Sequence, residues 1–296
     1  MEDNLIMKIL ITGGSGLLGQ ALIASLKNEE VYGTYYQHPS KQGNMMYLDI
    51  TSGKDVEVLI KKIEPNVVIH TAALTGVDDC EVHKQKAVQM NVEGTRNLVS
   101  SANQIEAKFV YLSTDYVFDG EKGWYNENDL TSPVNIYGET KLAGEKIVER
   151  ECSDFLIART SVIYGSPKEN FVTWMLSQFS QRKQISIVND QYVTPTYNYD
   201  LAKQLNALIK KDAQGIFHTA GGERISRYEF ALKVANVFGF DADLIKPVSM
   251  NALNWIARRP RDSSLDTSKI TRFNKPYKIG YALRKLKYEV RDDYPL

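Results

Sequence analysis

The sequence predicts an α/β protein built on a parallel sheet. Two observations lead to this fold class: short apolar runs alternate with amphipathic stretches in the first half of the 296-residue chain, and a glycine-rich turn follows the first apolar run. Strands separated by helices can pair in parallel, because each helix carries the chain back to the starting edge of the sheet. The predicted strands include KILIT (8–12), VYGTYY (31–36), NVVIH (66–70) and KFVYLS (108–113).

The amphipathic stretches predict the helices between these strands. One helix is expected to start at Leu17, and another near Ile136. A single long helix is expected across residues 78–104, where proline is absent and apolar residues recur at helical spacing. Glycine, asparagine, aspartate and proline in residues 119–135 predict a loop. Later helices are expected at 170–181, 198–210 and 226–238.

The domain organisation follows from where the regular alternation weakens. We expect residues 1–165 to form one domain and residues 166–296 to form mainly a smaller lobe packed against it. Some segments of that lobe could return to the first domain, since no linker-like composition separates the two parts.

The composition excludes several classes of partner. The 36 basic and 36 acidic side chains balance, so there is no electrostatic reason to expect nucleic acid or a membrane surface. The first residues, MEDNLI, lack the features of a secretory signal, and we expect a cytoplasmic protein. Cys80 and Cys152 are expected to be reduced thiols. The histidines and cysteines lack metal-ligand spacing, so no metal site is expected.

The glycine-rich turn, ITGGSGLLG, places Gly13, Gly16 and Gly19 at three-residue spacing after the first strand. Glycines in such a turn allow positive φ and leave room for a phosphate to touch the backbone at a helix start. Close packing of a strand and a helix would explain the motif equally well if it stood alone. Its position at the first strand-to-helix turn of an alternating α/β pattern favours a dinucleotide and a Rossmann-like, doubly wound sheet.

The end of the second strand bears on the choice of cofactor. An acidic residue there would grip the ribose of NAD, but the segment reads TYYQHPSK, with His38 and Lys41 and no acid. NADP(H) is therefore favoured over NAD(H), although both side chains could equally be ordinary solvated loop residues. Asp49, at the end of the following strand, could face the adenine or cap the helix near Gly53.

A candidate catalytic group lies in YGETK, where Tyr137 and Lys141 are four residues apart and so share a helix face. A phenol is a poor proton donor to a ketone unless its anion is stabilised, and a nearby ammonium does that. Ser113 and Thr114 end an apolar strand, which should place their hydroxyls at the carboxyl edge of the sheet. The glycine turn, the hydroxyl-bearing strand end and the Tyr/Lys helix thus follow one another along the chain, and their coincidence favours an enzyme that uses a dinucleotide to reduce a ketone.

These motifs, together with HTAA (70–73) and MNVEGT (90–95), resemble the extended short-chain dehydrogenase/reductase family. Within it, STDYVFDG, NIYGETKLAGE, TPTYNYDLA and RRPRDSSLD resemble the dTDP-4-dehydrorhamnose reductases, with coverage from about Met7 to Asp266. The resemblance implies an NADPH-dependent reduction of the 4-keto group of a dTDP-linked 6-deoxyhexose, with the sugar nucleotide in the second lobe. A monomer or a homodimer is expected.

Carried over by position, the resemblance assigns the site residues. Thr114, Tyr137 and Lys141 would be catalytic. The cofactor would contact the last two of these and Gly13, Ser15, Gly16, Leu17, Gly19, His38, Asp49, Ile50, Ala72, Ala73, Thr75 and Asn91. The substrate would contact Val77, Asp115, Tyr116, Asn170 and Arg259. Arg259 could pair with the pyrophosphate, as arginine forks suit phosphate oxygens, or belong to a solvated basic turn.

Three positions depart from the reductase pattern: the first two weaken the substrate assignment, and the third argues against a metal-bridged dimer. Val162 stands where many bacterial reductases have tryptophan, Val193 where they often have glycine, and Ala21 where some have a metal-binding glutamate. The first two also suit a non-enzymatic, NADP-binding regulatory subunit like that of methionine adenosyltransferase. A sugar-nucleotide epimerase remains an alternative. A dehydratase is disfavoured, because Thr114 is followed by Asp-Tyr and not by Asp-Glu.

Overall fold

The computed structural model describes residues 6–291, and its centre is a seven-stranded parallel sheet. The strand order is β11-β6-β5-β4-β1-β2-β3, with strands numbered along the chain. This order runs outward in both directions from β1, as in a doubly wound Rossmann sheet, and confirms the predicted fold class. The strands are β1 Lys8–Thr12, β2 Glu30–Tyr35, β3 Asn44–Tyr47, β4 Val67–His70, β5 Lys108–Thr114, β6 Phe155–Thr160 and β11 Gly215–His218.

Helices cover both faces of this sheet because the strands are apolar on both sides. On one face, α1 (Leu17–Ser25) and α8 (Asn198–Lys210) pack over Ile9 and Ile11 of β1. Leu10, which lies between Ile9 and Ile11 in β1, points to the other face and packs against a second layer of helices. That layer includes α2 Gly53–Ile63, α5 Gly94–Asn103 and α6 Ile136–Glu151.

The long helix predicted across residues 78–104 is wrong as a single element. The structure divides it into α3 (Val77–Val82), α4 (Lys84–Val88), a π-helical turn (Gln89–Glu93) and α5. His83 leaves helical geometry at φ −115° and ψ 54°. The π turn carries Asn91, whose side chain hydrogen-bonds across to another segment, and such wider turns often occur where a helix must aim a side chain.

The second lobe combines helices with three pairs of short strands. Tyr164, Phe230, Val234 and Leu283 are among the buried residues of its own core. The helices are α7 Phe171–Ser180, α9 Arg227–Phe238 and α10 Ile279–Glu289; α7, α8 and α9 confirm the three predicted later helices. The strand pairs are β7 (Ile163–Tyr164) with β10 (Thr196–Tyr197), β8 (Ile185–Val188) with β13 (Ile245–Val248), and β9 (Tyr192–Val193) with β12 (Ile225–Ser226).

The chain returns from the second lobe to the central sheet. β11 pairs in parallel with β6, with Gly215 opposite Leu156 and His218 opposite Arg159. α8, which leads into β11, packs beside α1. The carboxyl ends of the parallel strands therefore meet residues of both lobes along one edge of the sheet. Within residues 6–291, no helix has the length and apolar character needed to cross a membrane.

Candidate active site

The glycine turn joins β1 to α1 with little space around its backbone. Gly13 has φ +71°, and a Cβ there would lie 2.8 Å from the backbone nitrogen of Ala72. The N–H of Gly16 donates to the carbonyl oxygen of Gly13 at 2.8 Å. Gly16 is the N-cap of α1, and no side chain in the described part of the chain caps that helix start. The N–H groups in the first turn of α1 therefore have no side-chain cap, as a pyrophosphate site at a helix start requires.

Gly19 has a different place from the other two glycines. A Cβ there would lie 2.6 Å from the Cα of Gly14, so the absence of a side chain lets α1 press against the turn. Gly19 is not among the residues that line the cleft, and its close contacts are with Gly13 and Gly14 of the turn.

The turn opens into a cleft of about 790 Å³ that runs along the carboxyl edge of the sheet into the second lobe. Most of the sequence-predicted site residues lie along its wall. They are Gly13, Ser15, Gly16, Leu17, His38, Asp49, Ile50, Ala72, Ala73, Thr75, Val77, Thr114, Asp115, Tyr116, Tyr137, Lys141 and Asn170. Gly19, Asn91 and Arg259 are not among the lining residues. The size suits a dinucleotide with part of a second ligand.

At one end of the cleft, the segment after β2 contributes Tyr36, Gln37 and His38 to the lining. Asp49 accepts hydrogen bonds from the backbone N–H of Thr51 at 2.9 Å and from its hydroxyl at 2.7 Å. The N-cap of α2 is the neighbouring Ser52 and not Asp49. Asp49 thus closes a turn while it borders the cleft.

Helix α6 brings Tyr137 to the end of β5. The N-cap side chain of Asn135 accepts the N–H of Gly138 at 2.9 Å, which fixes where the helix begins. Gly138 also allows a very close approach, since a Cβ there would collide with the carbonyl of Tyr116. Burial raises the pKa of Tyr137, and interaction with the hydroxyl of Thr114 opposes part of that rise. The phenol is therefore protonated near neutral pH and lies beside a hydroxyl that can share a substrate oxygen.

Lys141 lies one helical turn after Tyr137 and is 4% exposed. Its Nζ is 4.1 Å from the ring centroid of Tyr111, on β5. Burial lowers the pKa of Lys141 to about 7, and the carboxylate of Glu145 opposes this lowering. Lys141 thus shares a helix face with Tyr137, and its charge near neutral pH is sensitive to the groups around it.

Sequence reasoning missed a buried ion pair behind the lysine. Arg159 donates through Nε to Glu145 Oε1 at 3.0 Å and through Nη2 to Oε2 at 2.7 Å. The hydroxyl of Ser113, which was expected to serve the cleft, donates to the same carboxylate. The available signals were an acid four residues after Lys141 and an arginine inside the apolar strand FLIART.

Asp115 is a buried carboxylate at the end of β5. It accepts hydrogen bonds from the hydroxyls of Ser161 at 2.8 Å, Ser263 at 2.5 Å and Thr114 at 3.1 Å. Burial raises its pKa and the hydroxyl partners oppose the rise. Ser263 follows the RRPRD segment, so this carboxylate joins the second half of the chain to the carboxyl edge of the sheet. Neighbouring Tyr116 meets the ring of Tyr137 edge-on, with centroids 6.0 Å apart.

Two of the residues assigned from the sequence are engaged elsewhere. Arg259 pairs with Asp78 at 3.0 Å and its guanidinium lies 5.3 Å from the ring centroid of Trp255. Asn91 accepts the N–H of Leu74 at 2.8 Å and donates to the hydroxyl of Thr140 at 3.0 Å, which joins the π turn to α6. These contacts give both side chains supporting positions outside the cleft lining.

The second lobe contributes an arginine to the cleft that the sequence did not single out. Arg227, the first residue of α9, lines it while its Nε donates to the side chain of Gln191 at 2.6 Å. Its guanidinium is 5.2 Å from the ring centroid of Phe171. Asn170 also borders the cleft, and its side chain caps α7. Val162 lines the same region with φ +40°, an unusual backbone conformation for a β-branched residue.

Within the described residues 6–291, no group of three or more histidine, cysteine, aspartate or glutamate side chains is placed to hold a metal ion. Cys80 and Cys152 are buried free thiols.

Comparison with known proteins gives the family. Residues 7–286 match the family described as RmlD substrate binding domain. The chain is 34% identical to a dTDP-4-dehydrorhamnose reductase from Aggregatibacter actinomycetemcomitans, covering 89% of this chain and 92% of the relative. It is also 31% identical to methionine adenosyltransferase 2 subunit beta from Bos taurus, covering 92% of this chain and 85% of the relative.

A solved structure agrees over nearly the whole chain. The crystal structure of dTDP-4-dehydrorhamnose reductase from Bacillus anthracis in complex with NADP superimposes with a TM-score of 0.86 at 31% identity. The match covers 96% of this chain and 100% of the other. This chain therefore belongs to the RmlD substrate-binding-domain family, within the extended short-chain dehydrogenases/reductases.

Proposed function

We propose that this protein is an NADPH-dependent reductase that converts the 4-keto group of a dTDP-linked 6-deoxyhexose to a hydroxyl, with dTDP-4-dehydrorhamnose as substrate and dTDP-rhamnose as product. The observation that carries this proposal is the presence of Thr114, Tyr137 and Lys141 in one cleft with the glycine turn. The family membership and the relatives named dTDP-4-dehydrorhamnose reductase support it.

The cleft fits a dinucleotide on physical grounds. The backbone of Ala72 leaves no room for a side chain at Gly13. The N–H groups at the start of α1 have no side-chain cap and could hold the pyrophosphate. The segment after β2 brings His38 and no carboxylate to the lining, which tolerates a 2′-phosphate and favours NADP(H) over NAD(H). When bound, the reduced nicotinamide would supply the hydride to the carbonyl carbon.

The chain's own residues would supply the proton and the electrostatic support. Tyr137 is protonated near neutral pH, and burial raises its pKa, so its donation to the carbonyl oxygen depends on stabilisation of the tyrosinate that forms. The hydroxyl of Thr114 would orient the same oxygen. The ammonium of Lys141 would stabilise the tyrosinate left behind and contact the nicotinamide ribose.

The substrate would extend from these groups toward the second lobe. Val77, Asp115, Tyr116 and Asn170 border that part of the cleft. Arg259 is paired with Asp78, whereas Arg227 lines the cleft and is better placed to meet a pyrophosphate. We therefore transfer the proposed phosphate contact to Arg227.

A second candidate function has a specific basis. Relatives named methionine adenosyltransferase 2 subunit beta are 30–32% identical to this chain, similar to the reductases. Val162 and Val193 also depart from the reductase pattern. In that case the chain would bind NADP without turning over a dTDP-sugar.

Purified protein mixed with NADPH and dTDP-4-dehydrorhamnose separates these functions. A reductase consumes NADPH only when the sugar is present, and the Tyr137→Phe variant loses most of that consumption while still binding NADPH. NADPH binding with no turnover of the sugar would favour the regulatory function. Conversion of a dTDP-sugar without net NADPH consumption would favour an epimerase.

A further inference from the structure

Glu145 is fully buried one helical turn after Lys141, on the side of α6 that faces the sheet. Its two carboxylate oxygens accept from Arg159 at 3.0 Å and 2.7 Å, and one of them also accepts from Ser113. Ser113 and Arg159 are cross-strand partners on β5 and β6. One carboxylate therefore fastens α6, which carries Tyr137 and Lys141, to the strand that ends at the next residue, Thr114.

The same carboxylate acts on the charge of the lysine. The ionisable groups near Lys141 are Tyr137 and Glu145 on its own helix, Tyr111 on β5 and His70 on β4. Burial raises the pKa of both tyrosines and lowers the pKa of His70, so all three are neutral near pH 7. Among these described neighbours, Glu145 is the group that carries negative charge.

Two other charged groups lie in this region, Asp115 and Arg159, and they contact residues other than Lys141. Asp115 is bound by three hydroxyls and its charge acts on Tyr137, where it raises the pKa of the phenol. Arg159 reaches Glu145 and lies 5.2 Å from the ring centroid of Phe118. Burial, with a smaller contribution from Arg159, lowers the pKa of His218 to about 3, so this imidazole stays uncharged.

We propose that Glu145, held by Arg159 and Ser113, is a positioning residue that keeps Lys141 in its charged form and holds the catalytic helix against β5. The predicted effect on catalysis rests on the proposed reductase function. The effect of the Glu145 carboxylate on the charge of Lys141 does not depend on that function. A buried Arg–Glu pair could also serve only to stabilise the fold, so the test must separate charge from stability.

The sign of the effect follows from the two causes that act on Lys141. Burial lowers its pKa to about 7 and Glu145 raises it. If the negative charge of Glu145 is removed, the pKa must fall further. A unit charge one helical turn away, at an effective dielectric constant near 20, corresponds to a shift of roughly 1–2 pH units. Activity that needs the ammonium would then be lost at a lower pH as the pH rises.

The test uses Glu145→Gln, which removes the charge and keeps the size and a hydrogen-bond acceptor. Glu149→Gln is the matched control, the same change one turn further along α6, where the side chain pairs with Lys146 at the surface. The double variant Glu145→Gln/Arg159→Met avoids an unpaired buried arginine and serves if the single variant folds poorly. Glu145→Asp keeps the charge and is the conservative variant.

The direct readout is the NMR titration of ¹³C-labelled lysine, in which the Cε signal of Lys141 is identified by its loss in Lys141→Met. We expect its pKa to fall by roughly 1–2 pH units in Glu145→Gln, by less in the double variant, and not at all in Glu149→Gln. Glu145→Asp should restore most of the wild-type value. An unchanged Lys141 titration in the folded Glu145 variants would overturn the proposal and leave Glu145 with a purely structural role.

The second readout is the pH profile of kcat/KM with NADPH and dTDP-4-dehydrorhamnose. Its alkaline limb should move to lower pH in Glu145→Gln in parallel with the lysine titration. If the wild-type protein turns over no dTDP-sugar, the proposed function fails while the NMR titration still decides the role of Glu145. If turnover occurs and the alkaline limb stays in place, the role of the charge in catalysis is refuted.

Discussion

Replacing Gly13 by alanine should weaken both the fold and NADPH binding, because the phosphate cradle and the local packing depend on the same atoms. The left-handed φ of +71° disfavours any side chain by roughly 1–2 kcal/mol. The new Cβ would also lie 2.8 Å from the nitrogen of Ala72 and 2.9 Å from the hydroxyl oxygen of Thr71. Relief of such overpacking costs about 1–3 kcal/mol, so we expect a total loss of stability of roughly 2–5 kcal/mol.

The effect of Gly13→Ala on affinity follows from the shift that relieves this contact. Moving the turn away from Ala72 displaces N–H groups that would hold the pyrophosphate. Each hydrogen bond to a charged group contributes about 1.5–3 kcal/mol, so losing one should weaken NADPH binding by roughly 10- to 150-fold. Fluorescence titration with NADPH measures the affinity, and guanidinium unfolding measures the stability.

Gly215→Ala is the matched control for this substitution. Gly215 also has a positive φ, +89°, but no atom lies within 4 Å of the position of its Cβ and it does not border the cleft. The Gly215→Ala variant should lose only roughly 1–2 kcal/mol of stability, the cost of a side chain at positive φ, and should bind NADPH as the wild type does. If Gly13→Ala matched Gly215→Ala in both measurements, the turn would not be the tightly packed phosphate cradle described above.

Three further predictions concern the chemistry. Tyr137→Phe should retain NADPH affinity and lose about 10²- to 10⁴-fold in kcat, the usual contribution of a general acid, and unchanged turnover would exclude Tyr137 as the proton donor. NADPH should have a kcat/KM at least as high as that of NADH, because the segment around His38 lacks a carboxylate; a strong preference for NADH would place this loop away from the ribose. Exhaustive EDTA treatment should leave the reduction rate unchanged, whereas a loss restored by added Mg²⁺ would contradict the metal-free mechanism.

The elements that could be predicted are those set by local pattern. β1, the glycine turn and α1 follow from an apolar run, three glycines and helical spacing, all within about one supersecondary unit. Tyr137 and Lys141 share a helix face because their spacing alone places them there. The sequence also predicted that Thr114 and the glycine turn lie at the same edge of the sheet, because parallel strands all end on one side.

The missed features depend on contacts between distant segments. The helix predicted across residues 78–104 is interrupted at His83 and widens into a π turn that carries Asn91. The hydrogen-bond partners of Asn91, Leu74 and Thr140, lie in other segments. Arg259 is held by Asp78, which is far from it along the chain. Neither pairing leaves a periodic trace in the sequence.

The buried ion pair was missed for a related reason. A glutamate on an amphipathic helix is ordinarily expected to face water, and burial of Glu145 becomes understandable only once Arg159 is known to lie opposite on β6. Sequence reasoning therefore identified the groups proposed to touch the substrate but not Glu145, the buried carboxylate proposed to hold them in place.

The most direct test of the proposed reductase function is the fate of the hydride. The protein is incubated with dTDP-4-dehydrorhamnose and NADPH that carries deuterium at the transferable position of the nicotinamide, and the product is examined by mass spectrometry and NMR. The reductase account predicts one deuterium bound to C4 of a dTDP-linked 6-deoxyhexose, with little product from Tyr137→Phe. Product without deuterium at C4, or no product from protein that binds NADPH, would contradict it.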